Sequence, residues 1–592
     1  MGLLQRALET YDANQRRIGE YHEGQEPLAP IGHTLTNADI EITLNRDGGF
    51  VTARIVDKSE PKILIPVTEA SSGRTSALVA HPLCDNLKYI ADLNAEAHKL
   101  YVEAIGSWTE SAYTHPFLQA VHAYVRSGAV LRDLQNAGCL DGDPKKNEKQ
   151  MICWRVIGVD GEEPACWKNQ NLFRAFEDYY LDSLSTRGKM LCMLEGHSAP
   201  LALQHPKGIV AVNGNAKLIS ANDSSGFTYR GRFTEDWQAA SVGYIASQKA
   251  HNALHWLASE QGVRECSGKR IFICWNPQGK KIPRPMRRAR GNDSPPVYSP
   301  SDYQKALQNT LLGLRQDQKL KDGDVAILAA FDAATAGRLA LTYYNEISLG
   351  TFLDRIQAWD AHCCWYAGKF GIQAPNLIQI VECAYGTQRG NFLETDNRIE
   401  RQHMQRLLNC KIGGGVFPVD IVKALTQRAS TPMAYDEAVW RRIMHAACSA
   451  LQKYRYDTRI GGNEMAWELD KRNRSFQYGR LLAAMDRAEA DYYFITKETR
   501  QTNAIRFMAE YRQRPLTVFE RINRHLQQAY LTRILPRQAK RYTRLVDEIF
   551  SILREFPEKD LNAPLEDLYL MGYELQRNAF FTQKEQDTET EA

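Results

Sequence analysis

Apolar and polar positions follow two different periods in the first seventy residues, and each period predicts a different element. Apolar side chains three and four positions apart over residues 3–11 predict an amphipathic helix. Residues 40–44 and 50–55 then alternate between apolar and polar, with the run RDGG between them. Because Asp-Gly supplies the positive φ of a tight turn, these two runs predict a β-hairpin. Residues 62–67 predict a further strand.

The rest of the chain separates into a mixed region and a helical region. Residues 94–137 predict helices, and residues 270–275 predict a compact strand. Residues 276–302 are rich in proline, glycine and basic residues, which is typical of a long loop. From residue 398 to residue 581 helical periodicity dominates, and no internal repeat of solenoid length interrupts it.

These patterns predict an α+β protein with several domains, since 592 residues exceed what one hydrophobic core usually serves. We expect a mixed α/β N-terminal region over residues 1–395, which can divide into two subdomains near 276–300. An all-helical C-terminal bundle is expected over residues 396–581. The polar tail over residues 582–592 is expected to be disordered.

One stretch invites an enzymatic interpretation. An apolar run over residues 325–331 ends at Asp332, and small residues follow it. A strand that ends in an aspartate can carry catalysis, yet Thr335 is equally well explained as the cap of a following helix. We therefore predict a strand and a helix here, and we favour a structural role. A metal-dependent nuclease that uses Asp332 with Asp354 or Glu346 remains the enzymatic alternative.

Charge is distributed unevenly along a chain whose formal net charge is only +4. Residues 471–544 hold 17 basic and 6 acidic residues, whereas residues 545–592 hold 4 basic and 12 acidic ones. The twelve cysteines form no Cys-x-x-Cys pair and no zinc-finger spacing, which favours buried, reduced thiols in the cytoplasm. No run of apolar residues reaches the length needed to span a bilayer.

Common catalytic motifs are missing from the sequence. Residues 262–270 resemble a phosphate-binding loop, but the glycine spacing is wrong and Arg270 stands where a serine or threonine is required. The glycine-rich residues 411–418 are better explained as a connection between helices. We therefore expect neither an enzyme nor a bound metal or cofactor.

Basic segments indicate nucleic acid instead. A proline-containing loop without acidic residues can offer its bases to a phosphate backbone; these residues are Lys280, Lys281, Arg284, Arg287, Arg288 and Arg290. A second set lies on C-terminal helices, where Val518, Ile522, Leu526 and Tyr530 predict the core-facing side. This second set consists of Arg512, Arg514, Arg521, Arg524, Arg533, Arg537, Lys540 and Arg541.

A third candidate surface is the segment over residues 68–90. Hydroxyl, amide and cationic donors follow one another around Gly73, and small donors suit contacts in a DNA groove. An ordinary surface loop with a helix cap at Asp85 explains the same residues. The residue types alone leave both interpretations open.

The order of several sequence blocks resembles a known family. The blocks are LLQRALETYD, HPLCDNLKYI, SSGFTYRGRF, KAHNALHWLAS, ILAAFDAATAGRLALTYYNEI, FLDRIQAWDAHCCW, DIVKALTQR and SFQYGRLLAAMDRAEADY. Their order and spacing resemble the large subunit of the type I-C CRISPR effector complex, Cascade, almost from end to end. The resemblance implies a non-catalytic protein that recognises the protospacer-adjacent motif in duplex DNA, promotes R-loop formation and helps recruit the helicase–nuclease in antiviral defence.

The resemblance also implies partners and site residues. The partners are guide CRISPR RNA, target double-stranded DNA, the Cascade backbone and 5′-handle-binding subunits, the helicase–nuclease and small subunits. By analogy, motif recognition is expected in the 68–90 segment, at Ser71, Ser72, Arg74, Asn86 and Lys88. Division of labour between guide pairing and motif reading is known in a related guided nuclease.

Type I-C systems make their small subunit by internal initiation within the large-subunit message. Candidate starts are Met465, which gives 128 residues, and Met485, which gives 108. We favour Met465, because Met485 falls inside a predicted helix. A protein–protein adaptor without nucleic-acid contact remains a plainer alternative to these expectations.

Overall fold

The computed structural model describes residues 2–74, 77–140, 142–220, 233–291, 294–333, 335–459 and 473–590. The side chains of Asp236 and residues 581–590 lie outside this description. The chain divides into two compact units, Met1–Ile282 with Val325–Ile347 and Pro283–Asp324 with Ser348–Ala592. The boundary expected between residues 395 and 396 falls inside the second unit, and it remains a prediction about functional parts.

The first unit combines helices with strands. Its helices are α1 (Leu3–Ala13), α2 (Glu69–Gly73), α3 (Leu87–Ile90), α4 (Ala95–Thr109), α5 (Pro116–Arg126), α6 (Val130–Asn136), α7 (Gln170–Leu184) and α8 (Tyr244–Glu260). Its strands are β1 (His33–Thr36), β2 (Ile40–Asn45), β3 (Phe50–Ile55), β4 (Ile63–Pro66), β5 (Ile152–Ile157), β6 (Lys189–Leu191), β7 (Ser198–Pro200), β8 (Val263–Glu265), β9 (Arg270–Trp275), β10 (Val325–Asp332) and β11 (Ala340–Ser348).

Two sheets organise this unit. One has the order β3-β2-β5, in which β2 pairs antiparallel with β3 and parallel with β5. Its buried side chains share a core with α4, α5, α6 and α7. The other has the order β11-β10-β9-β8, and its core includes side chains of α1 and α8. The predicted N-terminal helix, hairpin and compact strand are therefore confirmed.

The second unit is mostly helical. Its helices are α9 (Pro300–Asp317), α10 (Leu349–His362), α11 (Leu377–Tyr385), α12 (Asn397–Gly413), α13 (Val419–Ala429), α14 (Glu437–Asp457), α15 (Arg474–Thr496), α16 (Asn503–Arg506), α17 (Met508–Gln513), α18 (Pro515–His525), α19 (Pro536–Leu553) and α20 (Leu568–Thr590). Its short strands are β12 (Trp365–Tyr366), β13 (Ile372–Gln373), β14 (Thr387–Arg389) and β15 (Phe392–Glu394).

The α+β class is confirmed, with a mixed N-terminal region and helices in the C-terminal part. Beyond Glu394 the described residues form helices and connections without strands. Gly414, with φ of 73°, ends α12 in the left-handed region and opens the predicted glycine-rich connection to α13. Helix α20 continues to Thr590, into the tail for which composition indicated disorder.

The helix predicted after Asp332 is wrong. Residues 340–348 form β11 instead, an edge strand of the four-stranded sheet. Aromatic and β-branched side chains at Thr342, Tyr343 and Tyr344 favour a strand, and their helix-like apolar spacing did not outweigh this preference. The preceding strand, β10, and the burial of all twelve cysteines are as predicted.

Candidate nucleic-acid interface

The segment over residues 68–74 is a short, capped turn. Thr68 is the N-cap residue of α2, and its Oγ1 accepts the backbone N–H of Ser71 at 3.1 Å. The Thr68 N–H in turn donates to Ser71 Oγ at 3.0 Å. Ser71 is buried, and its hydroxyl shares a 2.9 Å hydrogen bond with His81 Nδ1. Ser71 therefore holds the turn in place, while the neighbouring Ser72 keeps partial exposure.

Arg74 fastens this turn to the start of α3. Its two terminal nitrogens donate to the Asp85 carboxylate at 2.8 and 2.5 Å. A further bond from Arg74 reaches the carbonyl of Val79 at 2.6 Å, and the Asn86 side-chain oxygen lies 3.2 Å away. The paired geometry is the strong, directional kind that arginine forms with carboxylates. Arg74 thus positions the segment, with only 15% of its side chain exposed.

Asn86 and Lys88 complete the cluster predicted from the sequence. Asn86 is the N-cap residue of α3, and its side-chain amide donates to the carbonyl of Lys149 at 2.6 Å. The Arg74 guanidinium lies 4.7 Å and the Lys88 ammonium 5.1 Å from the centre of the Tyr89 ring. Both distances are in the range of cation–π contacts. The structure therefore brings the two predicted cations together on one buried ring.

Sequence reasoning treated Asp85 only as a helix cap and missed that it holds this cluster together. Asp85 is fully buried, and beyond Arg74 it accepts the backbone N–H groups of His81 and Asn86, each at 2.7 Å. Asn86, and not Asp85, is the cap of α3. The only signal was a charged residue inside an apolar block, because the partner of that charge lies eleven positions away.

The basic residues of the 276–302 loop differ in exposure. Arg287 is exposed, and Lys280, Lys281, Arg284 and Arg288 are exposed or half-buried. Arg290 is buried; it donates to the carbonyl of Pro295 at 2.9 Å and stands 5.6 Å from the Tyr303 ring centre. Arg288 hydrogen-bonds to Gln373, and burial lowers the pKa of its guanidinium. These last two arginines hold the loop within the second unit.

The C-terminal basic helices have the core face that the sequence predicts. Val518, Ile522, Leu526 and Tyr530 are all buried. The accessible bases of the predicted set are Arg514, Arg521, Arg524, Arg533, Arg537 and Lys540, while Arg512 and Arg541 are half-buried.

Two members of this C-terminal set also form ion pairs within the second unit. Arg512 pairs with Asp567 at 2.7 Å, and Arg521 pairs with Glu510 at 2.5 Å. Their charges are therefore already partly neutralised, which weakens Arg512 and Arg521 as candidates for phosphate contacts.

Two carboxylates of the nuclease alternative, Asp332 and Glu346, lie beside arginines of the same unit. Asp332 ends β10 opposite Arg270 on β9, and the fully buried Arg270 lies 3.4 Å from Glu265 on β8. Glu346 pairs with Arg6 at 2.8 Å, which lowers the pKa of its partly buried carboxyl. Within the described residues, no three His, Cys, Asp or Glu side chains are grouped as a metal site.

Comparison with known proteins adds the family. The model of a family described as CRISPR-associated protein (Cas_Csd1) matches residues 8–581. The chain belongs to this family. None of the curated proteins compared with the chain matches it. Membership in Cas_Csd1 makes the chain a CRISPR-associated protein and suggests other Cas proteins and CRISPR RNA as its partners. No helix in the described part of this Cas_Csd1 protein is long and apolar enough to cross a membrane.

Proposed function

We propose that this Cas_Csd1 protein is the non-catalytic large subunit of a type I-C Cascade complex. It recognises the protospacer-adjacent motif in duplex DNA, promotes R-loop formation and helps recruit the helicase–nuclease. The observation that carries the proposal is the Arg74–Asp85 ion pair, which holds Arg74 beside Asn86 and, together with Lys88, on the Tyr89 ring. A segment fixed before DNA arrives loses little conformational freedom on binding.

Within this cluster the residues divide into two roles. Arg74, Ser71 and Asn86 are engaged in contacts that hold the segment, whereas Ser72 and Lys88 keep partial exposure. Lys88 and Ser72 are therefore our candidates for direct DNA contact, and the other three position them. The exposed C-terminal bases and Arg287 supply further phosphate contacts, which strengthen binding without reading sequence.

The first experiment measures how tightly the assembled complex binds a target duplex with and without the motif. Lys88→Met is expected to weaken binding by about tenfold, because it removes a cation beside the duplex. Asp85→Asn leaves the half-buried Arg74 without its counter-charge and should reduce discrimination between the two duplexes. Lys99→Met is the matched control, since this lysine lies on α4 with 75% of its side chain exposed.

Equal affinity of the Lys88→Met and unaltered complexes for the motif-bearing duplex would contradict the proposed contact. A separate cleavage assay tests the non-catalytic role. The purified chain, incubated with duplex DNA and Mg²⁺ or Mn²⁺, is expected to leave the DNA intact. Cleavage that disappears in an Asp332→Asn variant would instead support the nuclease alternative.

We further propose that the small subunit starts at Met465. Met465 lies outside the described residues, whereas Met485 is fully buried in the middle of α15. A chain that starts at Met485 would lack the first half of α15. That half includes Arg474, which donates to the carbonyls of Asp560 and Ala563, and Tyr478, which donates to that of Leu561.

Separate Met465→Leu and Met485→Leu variants test this start. Expression of the Met465→Leu gene should abolish a short co-purifying chain of 128 residues, while Met485→Leu should retain it. Leucine preserves the apolar character of the buried position 485, so the long chain itself should fold. Loss of the short chain in the Met485→Leu variant alone would show that the start is Met485.

A further inference from the structure

The first unit holds a polar cavity beside the candidate motif-reading segment, and Ser71, Ser72 and Arg74 form part of its wall. Its volume is about 320 Å³, and strand β1, helix α8 and the segment 206–214 contribute to its wall. Lining residues include His33, Lys207, Gln248 and His251. Among the described residues, no carboxylate lines it. A wall of hydrogen-bonding groups without acids suits a ligand that carries negative charge.

Positive charge is concentrated at one end of this cavity. Lys207, which lines it, pairs with Lys217 in an antiparallel bridge. The Lys207 ammonium donates to Asn215 at 2.9 Å and the Lys217 ammonium to Gln204 at 3.5 Å, and neither forms an ion pair with a described residue. Burial lowers the pKa of both, and the charge of Lys217 lowers that of Lys207 further. A bound anion would relieve this repulsion.

Helix α8 contributes a hydrogen-bond acceptor to the cavity, in contrast to the cationic donors of the lysines. His251 Nδ1 lies 2.8 Å from the carbonyl oxygen of Ser247, which can only accept, so Nδ1 carries the proton. Burial lowers the pKa of His251 to about 4, so the ring is neutral at neutral pH. Its Nε2 is then an acceptor. This atom is buried and receives no hydrogen bond from the described residues, a state that is unfavourable until a donor reaches it.

Gln248 and His33 add further polar groups to the cavity wall near His251. Gln248 precedes His251 by three positions on α8, so the two side chains lie on the same side of the helix. Gln248 is 7% exposed, and its amide forms no hydrogen bond with the described residues. His33 Nδ1 lies 3.0 Å from the carbonyl of Ile31, so its Nε2 is also an acceptor. The cavity therefore offers an amide and two imidazole acceptors to N–H donors of a ligand.

We propose that this cavity binds one unpaired nucleotide, with its phosphate beside Lys207 and its base edge on Gln248 and His251. A nucleotide joins an anion to a ring that carries both N–H donors and acceptors, which is the combination that the wall requires. A glutamine amide is a common partner of base edges, and the volume lies near the lower end of small-ligand sites. The inference is distinct from motif reading although Ser71, Ser72 and Arg74 border the cavity, because a double helix does not enter a cavity of this size.

The direct test uses calorimetric titration of the full chain with AMP, GMP, CMP and UMP, and with inorganic phosphate. At least one mononucleotide is expected to bind ten times more tightly than phosphate. Lys207→Met and Gln248→Met should each weaken that binding at least tenfold, whereas Lys207→Arg should retain it. Lys99→Met, on the exposed face of α4, serves as the control and should bind as the unaltered chain does.

A second arm separates the two sources of the nucleotide. A single-stranded oligonucleotide containing 2-aminopurine is titrated against the chain in the presence and absence of the best mononucleotide. If a strand supplies the nucleotide, the oligonucleotide binds and the mononucleotide displaces it; if free nucleotide is the ligand, only the mononucleotide binds. Both results support the inference.

Three results would overturn it. One is the failure of every mononucleotide and of the oligonucleotide to bind. Another is phosphate binding as tightly as AMP, which would leave only an anion site. The third is binding that both Lys207→Met and Gln248→Met leave unchanged. Loss of motif discrimination is not among these results, so this inference and the proposed function fail separately.

Discussion

Some basic residues of this protein are structural cations that carboxylates within the same unit neutralise. Arg74 is paired with Asp85, and the buried Lys411 lies 3.3 Å from the equally buried Asp360. Lys411 also donates to the carbonyl of Arg287 at 3.1 Å. A buried charge is stable only with a partner and further hydrogen bonds. Because these partners lie 11 and 51 positions away along the chain, a count of basic residues cannot separate them from accessible ones.

The grouping of the candidate motif-reading residues could be predicted, but their roles could not. Ser72, Arg74 and Lys88 are close in sequence, and any compact fold of the segment keeps them near one another. Which of them faces solvent depends on Asp85 and on the Tyr89 ring. Of the residues that line the cavity, Lys207 and Gln248 were not predictable, since they come from segments 41 positions apart and belong to no motif.

At the scale of elements, strands with strict alternation were predicted accurately and β11 was not. The pattern of β2 and β3 has period two, and a period of two has one structural meaning. Residues 340–348 lack such alternation, because every side chain of this edge strand is exposed or half-buried. Their strand state depends on pairing with β10, which the local sequence does not show.

Helices α15 and α20 approach each other closely through two glycines, which gives a prediction about stability. A Cβ atom on Gly479 of α15 would lie 1.9 Å from the carbonyl oxygen of Tyr569, and one on Gly572 of α20 would lie 2.2 Å from that of Phe476. Gly479→Ala must therefore separate the helices. We expect a loss of about 1–3 kcal/mol in the free energy of unfolding, visible as a lower midpoint in scanning calorimetry.

Gly313 provides the matched control for this variant. It lies within α9 of the same unit, and beyond its chain neighbours and the surrounding helix backbone no atom lies within 4 Å of the position of an added Cβ. Gly313→Ala should stabilise the protein by roughly 0.5–1 kcal/mol, because alanine has less backbone freedom to lose in a helix. A midpoint of the Gly479→Ala variant at or above that of Gly313→Ala would refute the close approach of α15 and α20.

At the scale of the whole molecule, the order of the chain does not match the order of the units. The first unit takes its last strands from Val325–Ile347, after the chain has already contributed Pro283–Asp324 to the second unit. The loop at 276–300 could be identified from its composition, yet composition does not reveal that the chain returns. That return depends on the pairing of β10 with β9, a contact between residues more than fifty positions apart.

Neutral histidines that are buried (His33, His251) or half-buried (His445) give both units a similar response to acid. Burial lowers the pKa of His33, His251 and His445 to about 4 each. In the unfolded chain the same groups take up protons near pH 6.5. Between pH 6.5 and 4 the unfolded chain therefore binds more protons, and each histidine lowers the free energy of unfolding by roughly 1.4 kcal/mol per pH unit as pH falls. Above about pH 6.5 these histidines are neutral in both the folded and the unfolded chain, so they cause no loss of unfolding free energy there.

His445→Gln tests this response in thermal unfolding scans between pH 7.5 and pH 4.5. His445 Nε2 lies 3.0 Å from the carbonyl of Gln373, and a glutamine amide can donate to the same oxygen without taking up a proton. The variant should therefore lose less of its midpoint temperature on acidification than the unaltered protein does. His22→Gln, at an exposed position, is the control and should follow the unaltered protein. If His445→Gln and His22→Gln lose the same number of degrees, His445 is not held neutral by burial.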